Sequence, residues 1–197
     1  MDNRISSVVR GLAEALDNRN FYNLNHSKLV TDMAMALGQA LKLDQTDMNR
    51  LEVCSLLHDI GKISISEAII NKPGKLDQEE WELMKTHTRL GADFAGRVPY
   101  LTSCADGILH HHEHFDGQGY PDGLKGDAIP LEGRILAVAD AYAAMTTERA
   151  YSGILAHEQA LEELKKCAGS QFDPALVELF LSLNANNNPG MTKKARR

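Results

Sequence analysis

The residues of this chain best suited to chemistry are imidazoles and carboxylates set among apolar neighbours. His87 falls inside the helical stripe Leu83, Met84, Leu90, Phe94. His26 shares a helical face with Val30, Met33 and Leu37, and Asp140 sits in the run Leu136, Ala137, Asp140, Ala143, Ala144. A buried carboxylate without a partner is costly, and a cation or a full set of hydrogen bonds normally offsets that cost. Three polar groups aimed inward from three segments therefore point to a common partner. Two adjacent pairs join them, His58-Asp59 and His111-His112, each at the end of a helical segment. Successive helical residues diverge by about 100°. Such neighbours reach two ions, or one bridges while the other binds terminally, which is the geometry of a binuclear site. The donors are nitrogen and oxygen without thiolate. That set suits two divalent ions of iron or manganese, and zinc, nickel and cobalt accept the same donors.

Each residue taken alone has a plainer explanation. A single inward histidine such as His26 is commonly a hydrogen-bonded core residue. His58-Asp59 alone is a polar pair at a helix end, and Asp140 alone can bond to backbone or to a tyrosine. His110 and His114 are expected to be partly solvated, and His157 to lie at the surface or cap a helix. Lys62, four residues after His58, is an ordinary surface lysine unless a phosphate lies nearby. The joint plain explanation is weaker, because it needs a separate partner for every buried group.

The elements that must position these residues read as helices, with little strand-like alternation. Helices are predicted over 4–19, 25–42 and 46–60, the last ending at the His58-Asp59 pair with Gly61 to stop it. A fourth spans 77–98, opened by capping-box spacing at Asp77 and Glu80, with Leu76 and Trp81 as the hydrophobic staple. Others follow over 102–113, 131–148 and 157–168, and a last one begins at Asp173-Pro174. Loops lie at 71–76 and 116–130, the second rich in glycine and proline and long enough to be functional. The expected fold is all-α, a single compact helical bundle. Residues 1–20 form an N-terminal helix packed on it, 20–183 the catalytic domain, and 184–197 a disordered polar tail.

Bulk properties narrow the partners. The 197 residues are 43% hydrophobic and 24% charged, an ordinary globular composition. The net charge of −6 gives no global attraction to DNA or to an anionic membrane, so an anionic substrate needs a local positive site. Three scattered cysteines, Cys54, Cys104 and Cys167, and no apolar leader or span favour the cytoplasm.

Two motifs now resemble a family. His58-Asp59-Ile60-Gly61-Lys62 is similar to the H-D-x-G-K signature of the HD superfamily of metal-dependent phosphohydrolases. The run from His111 through Pro121 resembles the H-H-E-x-x-D-G-x-G-Y-P signature of its HD-GYP branch. The similarity continues through Asn71–Leu76, Val138–Ala141 and Gln171–Pro174. It implies an HD-type bundle and a phosphodiesterase that opens cyclic di-GMP, to pGpG or GMP, with a metal-activated water. Cyclic GMP-AMP and linear pGpG are the alternative substrates. By position, the resemblance implies metal ligands His26, His58, Asp59, His87, His111, His112 and Asp140, with Asp59 bridging. Lys62 and Arg149 match residues near the phosphate and substrate, and Tyr120 the tyrosine that shapes the pocket. Asp59 and Lys62 are the expected catalytic residues, and Gly117 and Gly119 would let backbone approach the substrate. Regulatory or diguanylate-cyclase-type proteins are implied as partners of the Gly-Tyr-Pro loop.

Departures from the family pattern bear on detail. Tyr22 stands where members with a third ion have glutamate, which favours two ions. Ala143 and Ser152 replace an acid and a basic residue, which leaves the ligands in place but bears on substrate. A weak cyclic-dinucleotide sensor or scaffold, a phosphohydrolase for nucleotides or (p)ppGpp-like substrates, and a di-iron oxygenase are the competing readings.

Overall fold

The computed structural model describes residues 3–19, 26–147 and 154–187, and among these no strand forms. Tyr22, Arg149 and Ser152 lie outside the described residues. Helix α1 is Asn3–Asp17, α2 His26–Ala40 and α3 Gln45–Leu57. The Asp44 carboxylate accepts from the Asp47 amide and so caps α3. A one-turn helix, α4 (Glu67–Ile70), follows, too short to announce itself by periodicity.

The single helix predicted over 77–98 is two. Asp77 and Glu80 form the expected capping box at the start of α5 (Gln78–Lys85), and α6 runs His87–Arg97. Thr86 keeps helical angles, but its amide bonds to the Leu83 carbonyl three residues back, so the turn tightens there. His87 thus becomes the first residue of α6 rather than one in mid-helix. The helix predicted over 102–113 is also shorter. A 3-10 turn at Thr102–Cys104 leads into α7 (Ala105–Leu109), which ends at His110 and leaves His111 and His112 in the turn beyond. Then come α8 (Leu131–Thr146), α9 (His157–Lys166) and α10 (Pro174–Asn187). Asp173 caps α10 through the Ala175 amide. That helix covers residues 184–187, at which the disordered tail was expected to begin; the rest of that segment lies outside the described residues.

α2 packs on α3 and α8, and α6 packs on α7 and on the turn after α3. α8 also meets α9, and α10 closes over α2, α8 and α9. The core they share includes Val30, Leu37, Leu51, Leu57, Ile108, Leu136 and Phe180, all fully buried. Burying such side chains contributes about 1.5–3 kcal/mol each. α1 lies on α3 and on the turn after it, with Val9 and Ala13 inward. Ala143, where the family writes an acid, is wholly inside this core. No helix among the described residues is long and apolar enough to cross a membrane.

The chain after α3 departs from the prediction in a way that matters. The α-helix stops at Leu57, and a 3-10 helix runs Ile60–Ser64, so His58 and Asp59 stand at the join. A Cβ on Gly61 would lie 1.9 Å from the His87 carbonyl oxygen, so only glycine lets this turn press against α6.

Candidate metal centre

Five histidine rings meet where the ends of α3 and α7 and the starts of α2 and α6 converge. Ring centroids lie 5.6 Å apart for His26 and His58, 5.3 Å for His58 and His111, and 5.3 Å for His111 and His87. His112 lies 4.1 Å from His111. The side chains of His26, His58, His87 and His111 are buried.

Three of the rings are aimed by one device. His58 Nδ1 lies 2.7 Å from the Ser55 carbonyl oxygen, His87 Nδ1 2.7 Å from that of Met84, and His111 Nδ1 2.7 Å from that of Ile108. A carbonyl only accepts, so each Nδ1 carries the proton, and each ring in its neutral form presents its Nε2 lone pair to the interior. In each case the carbonyl is three residues earlier, in the last turn of the preceding helix.

Those lone pairs confront one another. His87 Nε2 and His111 Nε2 are 3.4 Å apart with no proton between them, and His58 Nε2 is buried without a hydrogen-bond partner. His26 Nδ1 is likewise buried and unpartnered. Donor atoms of His87, His111 and His112 all fall within 4.8 Å of one another, as do those of His26, His58 and Asp140. Asp59 spans the two groups. Its Oδ1 is 3.4 Å from His87 Nε2 and its Oδ2 3.5 Å from His58 Nε2. Asp140 Oδ1 is 3.0 Å from His26 Nε2 and 4.0 Å from His58 Nε2. Opposed lone pairs in a dry pocket beside two carboxylates are unfavourable alone and favourable around cations, so the residues present fit divalent metal.

The protonation states agree. Burial lowers the His87 imidazole to about 4 and, with His87 beside it, lowers His112 to about 3. Burial and the neighbouring imidazoles hold His111 well below its ordinary value. Burial pushes the Asp59 carboxyl up, but Lys62 and then His58 and His87 outweigh it and hold the group well below the carboxylate range. Neutral imidazole and ionised carboxylate are the ligating forms.

Lys62 lies in the 3-10 turn beside Asp59. The 3-10 period of three pairs it with Asp59 rather than His58, and its Nζ lies 2.6 Å from Asp59 Oδ2. Arg19, in the turn just past α1, donates to the Lys62, Ile63 and Ile65 carbonyls and ties the 3-10 turn down. Asp17 accepts from the Ser27 amide and hydroxyl, next to His26.

Tyr120 lies over His112, rings 5.0 Å apart and 30° from parallel, and Trp81 meets Tyr120 edge-on at 6.0 Å. Burial and the Asp59 and Asp140 carboxylates push the Tyr120 hydroxyl above its ordinary pKa. Gly117 takes φ +88°, and a Cβ on Gly119 would lie 2.2 Å from the His114 amide nitrogen. Glycine at 119 thus serves the packing of the loop on its own backbone, where the sequence had suggested room for substrate. Among the outlying histidines, His157 Nδ1 pairs with the Tyr142 hydroxyl at 2.6 Å, and His110 Nε2 lies 3.0 Å from Asp122 Oδ2.

Of the expected site residues, His26, His58, Asp59, Lys62, His87, His111, His112, Tyr120 and Asp140 converge here, with Gly117 and Gly119 in the adjoining loop. Arg19 and Asp122 escaped the sequence reading, and Glu113 entered it only as the acid of the H-H-E motif, with no role attached. Arg19 follows a helix with no periodic claim on it.

The HD domain family model matches residues 10–176. The chain is 38% identical over 176 residues to 3'3'-cGAMP-specific phosphodiesterase 2 of Vibrio cholerae, covering 88% of this chain and 34% of that protein. It is 35% identical over 183 residues to the cyclic di-GMP phosphodiesterase response regulator RpfG of Xanthomonas campestris, covering 92% and 48%. The crystal structure of a cyclic GMP-AMP-specific phosphodiesterase of V. cholerae, V-cGAP3, superimposes with a TM-score of 0.74 at 26% identity, over 92% of this chain and 49% of that one. The chain thus spans about a third to a half of the length of the relatives it matches. Matched over most of its length, and carrying the two motifs described above, this chain belongs to the HD domain family, in its HD-GYP branch.

Proposed function

We propose that this chain is a metal-dependent phosphodiesterase that hydrolyses cyclic di-GMP to pGpG, GMP or both. The observation that carries the reading is Asp59, whose two oxygens face two separate groups of inward donors. That arrangement supports two cations, with His87, His111 and His112 serving one, His26, His58 and Asp140 the other, and Asp59 between them. Iron or manganese suits these donors. Such ions supply an activated water and screen the phosphate charge.

The chain's own residues supply the rest. Lys62, partly exposed beside Asp59, is placed to donate to a phosphate oxygen and stabilise the charge that develops on it. Tyr120 forms a wall next to His112 that orients the dinucleotide and keeps bulk water off the reacting phosphorus. Arg149 is assigned to the substrate by its match to the family pattern. A cytoplasmic location suits three unpaired cysteines, two of them buried. Regulatory protein partners would meet the Gly-Tyr-Pro loop.

Relatives named for 3'3'-cGAMP, at 38% and 32% identity, give that dinucleotide as the second reading. The test is product chromatography on cyclic di-GMP, 3'3'-cGAMP and pGpG with protein loaded with Mn(II), or with Fe(II) without oxygen. Cyclic di-GMP cleaved fastest supports the main reading, and 3'3'-cGAMP cleaved fastest replaces it with the second. Metal-loaded protein that cleaves none refutes both.

A further inference from the structure

Glu113 is buried, lies between the metal-site turn and the Gly-Tyr-Pro loop, and plays no part in the reaction outlined above. Its side chain turns toward the loop, with a carboxylate oxygen within 4.8 Å of donor atoms of His110 and Asp122. Oε1 accepts from the Asp122 amide at 2.7 Å and Oε2 from the Leu124 amide at 3.1 Å. Both oxygens thus hold loop backbone just past Tyr120. On the other side of Tyr120, its own amide donates to the His112 carbonyl at 3.1 Å, and Gly119 is packed on the backbone of residues 112–114. The loop is therefore stitched to the segment that carries His111 and His112, and Tyr120 is held against the His112 ring. Two further ties hold Asp122: His110 Nε2 lies 3.0 Å from its Oδ2, and Arg89 pairs with its Oδ1 at the surface, where solvent weakens the contact.

We infer that Glu113 is a positioning residue: its carboxylate straps the loop so that Tyr120 stands at the metal site before substrate arrives. Charge-assisted hydrogen bonds to two amides in a dry setting are strong enough to hold a loop that carries no secondary structure of its own on this stretch. The kinetic consequence rests on the phosphodiesterase reading above; the conformational one does not.

The chain has one tryptophan, Trp81, and it abuts Tyr120, so its fluorescence reports the loop. Glu113→Gln keeps the shape but sets an amide group against one of the two N–H donors. It should make Trp81 easier to quench with acrylamide and raise KM for the dinucleotide about tenfold. Metal content, helical circular dichroism and kcat should stay near those of the unaltered protein. Glu113→Asp, with the carboxylate drawn back by one methylene, should show the same changes to a smaller degree. Arg89→Ala, which cuts only the surface tie, should show neither. Unchanged Trp81 quenching in both Glu113 variants overturns the inference. So does loss of helix or of metal in both, which makes Glu113 a folding or ligand-supporting residue. An equal loosening in Arg89→Ala overturns it as well. If the unaltered protein hydrolyses no dinucleotide, the proposed function fails, and the quenching comparison still decides on the strap.

Discussion

Replacing His111 with asparagine removes one half of an imidazole and keeps the other. The asparagine amide N–H2 can take over the bond from Nδ1 to the Ile108 carbonyl, while the Nε2 lone pair that faces His87 at 3.4 Å disappears. Without metal the change removes an unfavourable apposition and opens a small void, so the net cost should be modest, about 1–2 kcal/mol. With metal the effect is larger and of calculable size. At a free ion concentration 100 times the dissociation constant, binding stabilises the native state by about 2.7 kcal/mol. For a domain of this size that raises the melting temperature by about 5–11 °C. If the missing ligand weakens binding about 100-fold, the same concentration gives only about 0.4 kcal/mol, or about 1–2 °C. The assay is a pair of melts, chelator-stripped and Mn(II)-loaded, for each protein. An equal metal-induced shift in both proteins, or none in the unaltered one, would refute the argument that these lone pairs are aimed at a cation.

Three further outcomes follow from the same geometry. Asp59→Ala should lower metal content and dinucleotide hydrolysis together, read by elemental analysis and turnover; retained activity would overturn the bridging role. Gly61→Ala drives a Cβ into the His87 carbonyl, so it should destabilise by about 3 kcal/mol in urea denaturation and disturb metal uptake through His87. Arg19→Ala frees the turn that carries Lys62; it should cost about 1 kcal/mol in the same denaturation and raise KM with metal content intact.

The helices and their starting points were legible because capping chemistry is local. Asp77 and Glu80, four residues of sequence, are enough to specify where α5 begins. Where helices end was less so. Leu57, Lys85 and Leu109 each close an α-helix inside a stretch whose periodicity runs on. These ends are set by tertiary contact, as at Gly61 against His87, which a linear pattern does not carry. All three misjudged ends adjoin histidines of the metal site. The donors themselves were legible, His26, His87 and Asp140 as polar residues in apolar stripes and His58-Asp59 and His111-His112 as adjacent pairs. The groups that hold them were not. Arg19 acts through backbone carbonyls of residues 43–46 positions away, and Glu113 through backbone amides, so neither shows a side-chain pairing in the sequence.

The bonds from histidine Nδ1 to the carbonyl three residues back bear on how freely this pocket can vary. The bearings of His58, His87 and His111 are anchored in main chain, which every residue type supplies equally. Neighbouring side chains can be exchanged without swinging those rings off target. On the proposed reading, the lining could then be retailored for one cyclic nucleotide or another while the ligand rings stay put, and a library that randomises the lining but spares the three helix ends should keep most of its members able to take up metal.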